Sequence, residues 1–174
     1  MVAIAEISID DLDVPYKNLI LNDRISLAEL TSELKLSFVE NKENVRTRVA
    51  GNVKDTEYDW FQISYPNKEH ADLIFDYLFN ATNKSGRIVS VELINVATKR
   101  GVVVGDSIEK VKQVYGKDLV EETAAETTNS LSVIVNKNKM SFIYDKNTVK
   151  ITEIYIDYDS NQAMEEMDIP SLED

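Results

Sequence analysis

Two periodicities of apolar and polar residues run along this chain, and each of two segments switches from one to the other. Leu19-Ile20-Leu21 is a short apolar run that turns at Asn22-Asp23-Arg24. Leu27, Leu30 and Leu34 then recur at spacings of three and four, which predicts a short helix with one buried stripe, ending near Lys35. Ser26 and Glu29 form a capping box: the serine hydroxyl accepts from the Glu29 N–H, and the glutamate side chain reaches back. Ile25 and Leu30 stand at the positions of a hydrophobic staple. After this helix the period falls to two. Val45 to Val49 alternates, and Tyr58 to Tyr65 is rich in aromatic and β-branched residues. Residues 71–82 and 87–96 read as two further strands, turned at Asn83-Lys84-Ser85-Gly86.

The second segment follows the same plan. Gly101-Val102-Val103-Val104-Gly105 reads as a short apolar strand. Asp106 or Ser107 caps a helix with Ile108, Val111, Val114 and Tyr115 on one face, and Gly116 stands at its stop. Three strands are expected at Leu131–Val135, Met140–Tyr144 and Val149–Asp157, with turns at Asn136-Lys137-Asn138 and Asp145-Lys146-Asn147. The polar stretch Glu121 to Asn129 reads as a loop. The pattern predicts an α+β protein: a tandem repeat of a short helix packed on antiparallel strands, with units at 15–97 and 98–157. Residues 1–14 read as an acidic spacer, although Ile4, Ile7 and Ile9 fit an edge strand. Residues 158–174 read as an acidic tail.

Residues 101–111, then Val114-Tyr115-Gly116, Met140 to Asp145, and Val149 to Ile154 together resemble a motif of uncharacterised surface lipoproteins of Gram-positive bacteria. Those proteins in turn resemble the β-lactamase inhibitor protein and the small outer-membrane assembly lipoproteins. The likeness covers residues 101–156; residues 18–96 share the plan without the glycines. It implies a helix on a curved antiparallel sheet, often duplicated, in an extracytoplasmic lipid-anchored protein with a binding role. It implies no catalytic residue. The lipid-bearing cysteine it calls for is not in this chain, so the membrane would be reached only through an anchor outside it.

Composition narrows the function classes. The chain has 174 residues, 31 acids, 19 bases, one histidine and no cysteine, for a net charge of −12. Residues 1–14 hold four of the acids and 151–174 hold eight, with no base in either, so the body between is neutral. No net positive patch favours nucleic acid. Thiolate catalysis, zinc–sulfur sites and iron–sulfur clusters are excluded. No run approaches the roughly 20 apolar residues of a membrane-spanning helix. His70 lies in a polar turn, without a serine elbow that would make it part of a triad. The glycines do not have phosphate-loop spacing.

Two constellations remain. Asp157, Asp159 and Asn161 have the opening spacing of a calcium loop, with Asp168 at the twelfth position. Gln162 occupies the position where the loop turns on glycine, so a solvated acidic tail is the favoured reading. Aromatic residues gather at Tyr58, Trp60, Phe61 and Tyr65 and at Phe75, Tyr77 and Phe79. On a strand, Tyr58 and Trp60 face away from Phe61 and Ile63. If Phe61 is core, an aromatic stripe lies on the other side, a composition typical of binding hot spots. Tyr58, Trp60 and Tyr77 are thus the candidate binding residues, with burial in a core as the alternative. The expected function is a non-enzymatic, extracytoplasmic binding module without a cofactor, whose partner is a protein or other cell-envelope ligand. The alternatives are a scaffold domain of an envelope assembly, or a calcium-binding or hydrolytic protein built on the C-terminal acids.

Overall fold

A computed structural model describes residues 4–36, 42–53, 56–116 and 118–159. The chain begins with a single 3-10 turn, Ile9–Leu12, and a hairpin of β1 (Val14–Tyr16) and β2 (Leu19–Leu21). Helix α1 (Leu27–Leu34) follows. Its Ser26 cap accepts from the Glu29 N–H and Glu29 reaches back to the Ser26 N–H, as the capping box requires. A meander of β3 (Val45–Val53), β4 (Thr56–Tyr65), β5 (Leu73–Asn80) and β6 (Ser85–Leu93) comes next. Helix α2 (Ile108–Tyr115), capped by Ser107, leads to a second meander: β7 (Val120–Thr123), β8 (Thr128–Val135), β9 (Asn138–Asp145) and β10 (Ile151–Asp157).

The expected fold class is corrected at this point. The protein is mostly antiparallel sheet, not a tandem repeat of a helix packed on a sheet. Among the described residues the two α-helices have eight residues each, while the strands outside the β1–β2 hairpin form one eight-stranded sheet in the order β3-β4-β5-β6-β10-β9-β8-β7. The physical reason is the β6–β10 ladder. Ile154 pairs with Leu93 and Asp157 with Ser90, so the two meanders share backbone hydrogen bonds at the centre of the sheet. Their apolar sides also merge. Phe61, Phe75 and Val91 from one meander lie in the same buried cluster as Phe142, Ile154 and Ile156 from the other. Two helices of two turns cannot cover eight strands. The hairpin shares the task, burying Val14 and Leu21 against the same side.

Three local expectations also change. Val102 to Val104 joins no ladder: Gly101 and Gly105 both take positive φ, and the Asp106 carboxylate accepts from the Val103 N–H in a turn. The stretch expected as a loop, 121–129, contains most of β7 and the start of β8, an edge pair whose side chains on β7 are all exposed. A polar edge strand has no alternation to betray it.

The described part of the acidic front segment is not a spacer. Leu12 is 1% exposed, and Asp11 forms a two-pronged ion pair with Arg100 at 2.7 and 2.9 Å. The same guanidinium donates to the carbonyls of Ala5, Glu6 and Val114 and lies over the Tyr115 ring. From the far end, the Tyr158 hydroxyl donates to the Leu12 carbonyl at 2.7 Å. Burial works against the Asp11 carboxylate, but the Arg100 and Ser8 donors outweigh it and hold its pKa below the ordinary value. Its contribution to stability is therefore present above the ordinary carboxylate range and is lost as pH falls through the lowered value.

Two stability outcomes follow. Arg100→Ala leaves the buried Asp11 carboxylate without its guanidinium partner and costs about 3 kcal/mol in urea denaturation. Combined with Asp11→Ala, the loss is smaller than the sum of the single losses; strict additivity would mean the clamp contributes no coupling. At Gly86 an added Cβ would run into the ring of fully buried Tyr77, whereas at Gly101 it would meet open space and only positive φ opposes it. Gly86→Ala should therefore cost about 2 kcal/mol and Gly101→Ala about 1 kcal/mol. Thermal melting that reversed this order would show that the Tyr77 ring can yield.

Candidate functional site

Alternation along the strands, interrupted by register shifts, gives the sheet two unlike faces. Both helices, the hairpin and the 3-10 turn contribute their buried side chains to one side. Among the described residues, no element covers the other. That open face carries a small apolar cluster in which Tyr58 and Trp60, both half-buried, pack on the buried side chains of Leu78 and Val89. Trp60 pairs directly with Leu78 across β4–β5. Val89 joins them because the register shifts between Asp76 and Tyr77, which puts an extra residue into β6.

Beside this aromatic platform the register lays out two polar rows. In the first, Gln62, Asp76, Ser90, Asp157 and Lys139 stand opposite one another on successive strands from β4 to β9. In the second the succession is Ile74, Glu92, Tyr155, Ser141 and Ser132, from β5 to β8. The two serine hydroxyls at the end of this row lie 3.1 Å apart. Serines keep the floor low, while Trp60, Glu92 and Tyr155 stand higher.

Electrostatically the face is crowded with like charge. Burial pushes the Asp76 carboxyl above its ordinary value, although Gln62, Trp60 and Ser90 hydrogen bond to it and oppose the shift. Burial also raises Glu92, with Glu153 and Asp76 adding repulsion and Arg46 opposing. The Tyr155 phenol is raised by burial first, then by the charges of Asp76, Asp157 and Glu92. Two bases border these rows: Arg46 donates to the hydroxyl of Ser64, which pairs with Ile74 at the β4 end of the second row, and its charge favours the Glu92 carboxylate, while Lys139 donates to Glu122 on β7 at 3.1 Å.

Of the candidate binding residues, Tyr58 and Trp60 lie together on the open face. Tyr77 does not: it is 0% exposed on the helix-covered side, among Phe61, Phe75 and Ile88. Its neighbours Phe75 and Phe79 in β5 share that side through the period of two, so Tyr77 belongs to the core and not to a binding surface. Asp157 sits at the end of β10 on the open face and Asp159 follows just beyond; Asn161 lies outside the described residues. Among the described residues no three His, Asp or Glu side chains converge as metal ligands. His70 is exposed in its turn, where its backbone N–H donates to Asn67.

No family model, curated protein or solved structure matches this chain. The reading of the site therefore rests on its own geometry. No motif in the sequence distinguishes Asp76, Ser90, Glu92 and Tyr155. Alternation marks each as pointing away from its apolar neighbours; Asp76 meets Ser90 through the β5–β6 pairing, and Tyr155 reaches Glu92 only through the pairing of β6 with β10. No helix among the described residues is long and apolar enough to cross a membrane.

The raised Glu92 pKa has a stability consequence. The native state holds this proton more tightly than the unfolded chain, so stability falls as pH rises through the ordinary carboxylate value and on through the raised one. Glu92→Gln should therefore raise stability at neutral pH and leave it nearly unchanged at about pH 3.5. Urea denaturation at the two pH values checks this; a loss of stability at neutral pH would mean that Glu92 is held by favourable contacts instead.

Proposed function

We propose that the protein is a non-enzymatic binding module that engages another protein through the open face of the sheet. The supporting observation is the Tyr58–Trp60 platform. Large aromatic side chains sit half-exposed on a buried apolar base, beside a polar strip of low side chains. Such a surface loses little conformational entropy on binding and offers both apolar area and hydrogen-bonding edges. On the helix-covered side Phe61, Phe75, Tyr77, Tyr115 and Phe142 are instead buried in the core. The cell-envelope location expected from residues 101–156 has that resemblance as its support, and the binding reading does not depend on it.

The test is capture of a partner from extract of the source cells by immobilised protein, compared with Trp60→Ala and Tyr58→Ala. A partner retained by the parent and lost by both variants, with melting temperatures within about 4 °C of the parent, supports the reading. Retention unchanged in both variants, or loss only in step with unfolding, overturns it.

A further inference from the structure

The open face carries more than an aromatic platform, and its charge says what kind of partner fits. Asp76 and Asp157 flank Ser90 from the two neighbouring strands. With strands about 4.8 Å apart, the two carboxylate-bearing positions are separated by about 10 Å across a serine floor. Glu92 lies one step along β6, and Glu153 is close enough to repel it. The charges of Asp76, Asp157 and Glu92 thus bear on Tyr155, and Glu153 bears on Glu92, against two bases at the margins: Arg46, held at Ser64 on the β4 side, and Lys139, drawn to the β7 edge by Glu122. This arrangement costs the isolated protein, since like charges crowd a half-desolvated surface. A cationic ligand would relieve it.

We propose that the open face of the sheet docks an extended, lysine- or arginine-bearing segment of a partner protein, seated across Ser90 between the Asp76, Glu92, Glu153 and Asp157 carboxylates, with its flank against Trp60. This rests on the reading of the face as a protein-binding surface and adds the chemistry of the partner. The platform fits the same class, because an indole ring beside a carboxylate favours a cation that is partly desolvated. Alternate residues of an extended peptide lie about 7 Å apart, a spacing that lets successive basic side chains reach different carboxylates. A second copy of this chain is a poor occupant through this face, since two such acidic surfaces would repel. Nucleic acid is disfavoured for the same reason.

The test compares two variants of equal charge. Glu92→Gln/Glu153→Gln removes two charges from the open face. Glu33→Gln/Glu109→Gln removes two from exposed positions of α1 and α2, on the helix-covered side. Binding of a fluorescent ten-residue lysine–serine alternating peptide is measured by anisotropy in about 150 mM salt, where the screening length is about 8 Å. A glutamate–serine peptide is the control probe. The expected result is tight binding of the lysine peptide alone, at least tenfold weaker for the open-face variant and less than threefold weaker for the helix-side variant. Equal weakening in both would show attraction to net charge only and overturn the proposal, as would no binding by the parent.

The two readings fail separately. If Trp60→Ala abolishes retention of the cellular partner while Glu92→Gln/Glu153→Gln retains it, the face binds a protein of other chemistry and the cationic proposal alone is lost. If neither substitution affects retention, the interface reading itself is wrong. Unfolding does not confuse the outcome, because the structure expects the Glu92 and Glu153 substitutions to relieve repulsion, and melting of both variants checks it.

Discussion

The ladder between β6 and β10 is the pairing on which the rest of the structure depends. It joins residues more than sixty positions apart, Ser90 to Asp157 and Leu93 to Ile154, and turns two meanders into one sheet. Without it each meander would expose an edge strand and half of an apolar side. With it, Val91 and Leu93 come beside Ile154 and Ile156, and the apolar sides of both halves form one core. Such long-range pairing closes a long loop before it gains contacts, so it makes formation of the sheet a late and cooperative event.

Everything else is fastened around that seam. The hairpin and two short helices cover one side, and Arg100, in the connection that precedes α2, ties the front segment through Asp11 and the Ala5 and Glu6 carbonyls to the last turn of α2 through the Val114 carbonyl. Tyr158, immediately after β10, closes the circuit by donating to the Leu12 carbonyl. The acidic front of the chain is thereby part of the folded body. The Tyr16–Tyr65 edge contact, with Lys17 over the Tyr65 ring and Tyr16 donating to Asp72, fixes the hairpin at the other end of the meander.

The seam also creates the open face. Asp76 belongs to β5 and Asp157 to β10, and neither would meet the other in separate units. Their convergence about Ser90 and Tyr155 is a by-product of joining the sheet, and it brings Glu153 and Asp157 from the acidic end of the chain beside Asp76 and Glu92 of the neutral body. The net charge of −12 describes the ends of the chain. The local field at the centre of the sheet is set by register.

Local physics was legible in the residues. Ser26 and Glu29 announced the start of one helix, Ser107 the start of the other, and the period of two placed Phe61 and Ile63 opposite Tyr58 and Trp60. These features depend on neighbours within a few positions, and short-range sterics and hydrogen bonding decide them. The side chosen by Tyr77, the docking of Asp11 on Arg100, the strand hidden in Val120–Thr123 and the gathering of Asp76, Glu92 and Tyr155 were not legible. Each depends on which strands lie side by side, and a sequence does not display register between segments sixty residues apart. The sequence by itself determined the elements and the faces they would show; only the tertiary structure decided which faces met, because that choice belongs to one long-range ladder.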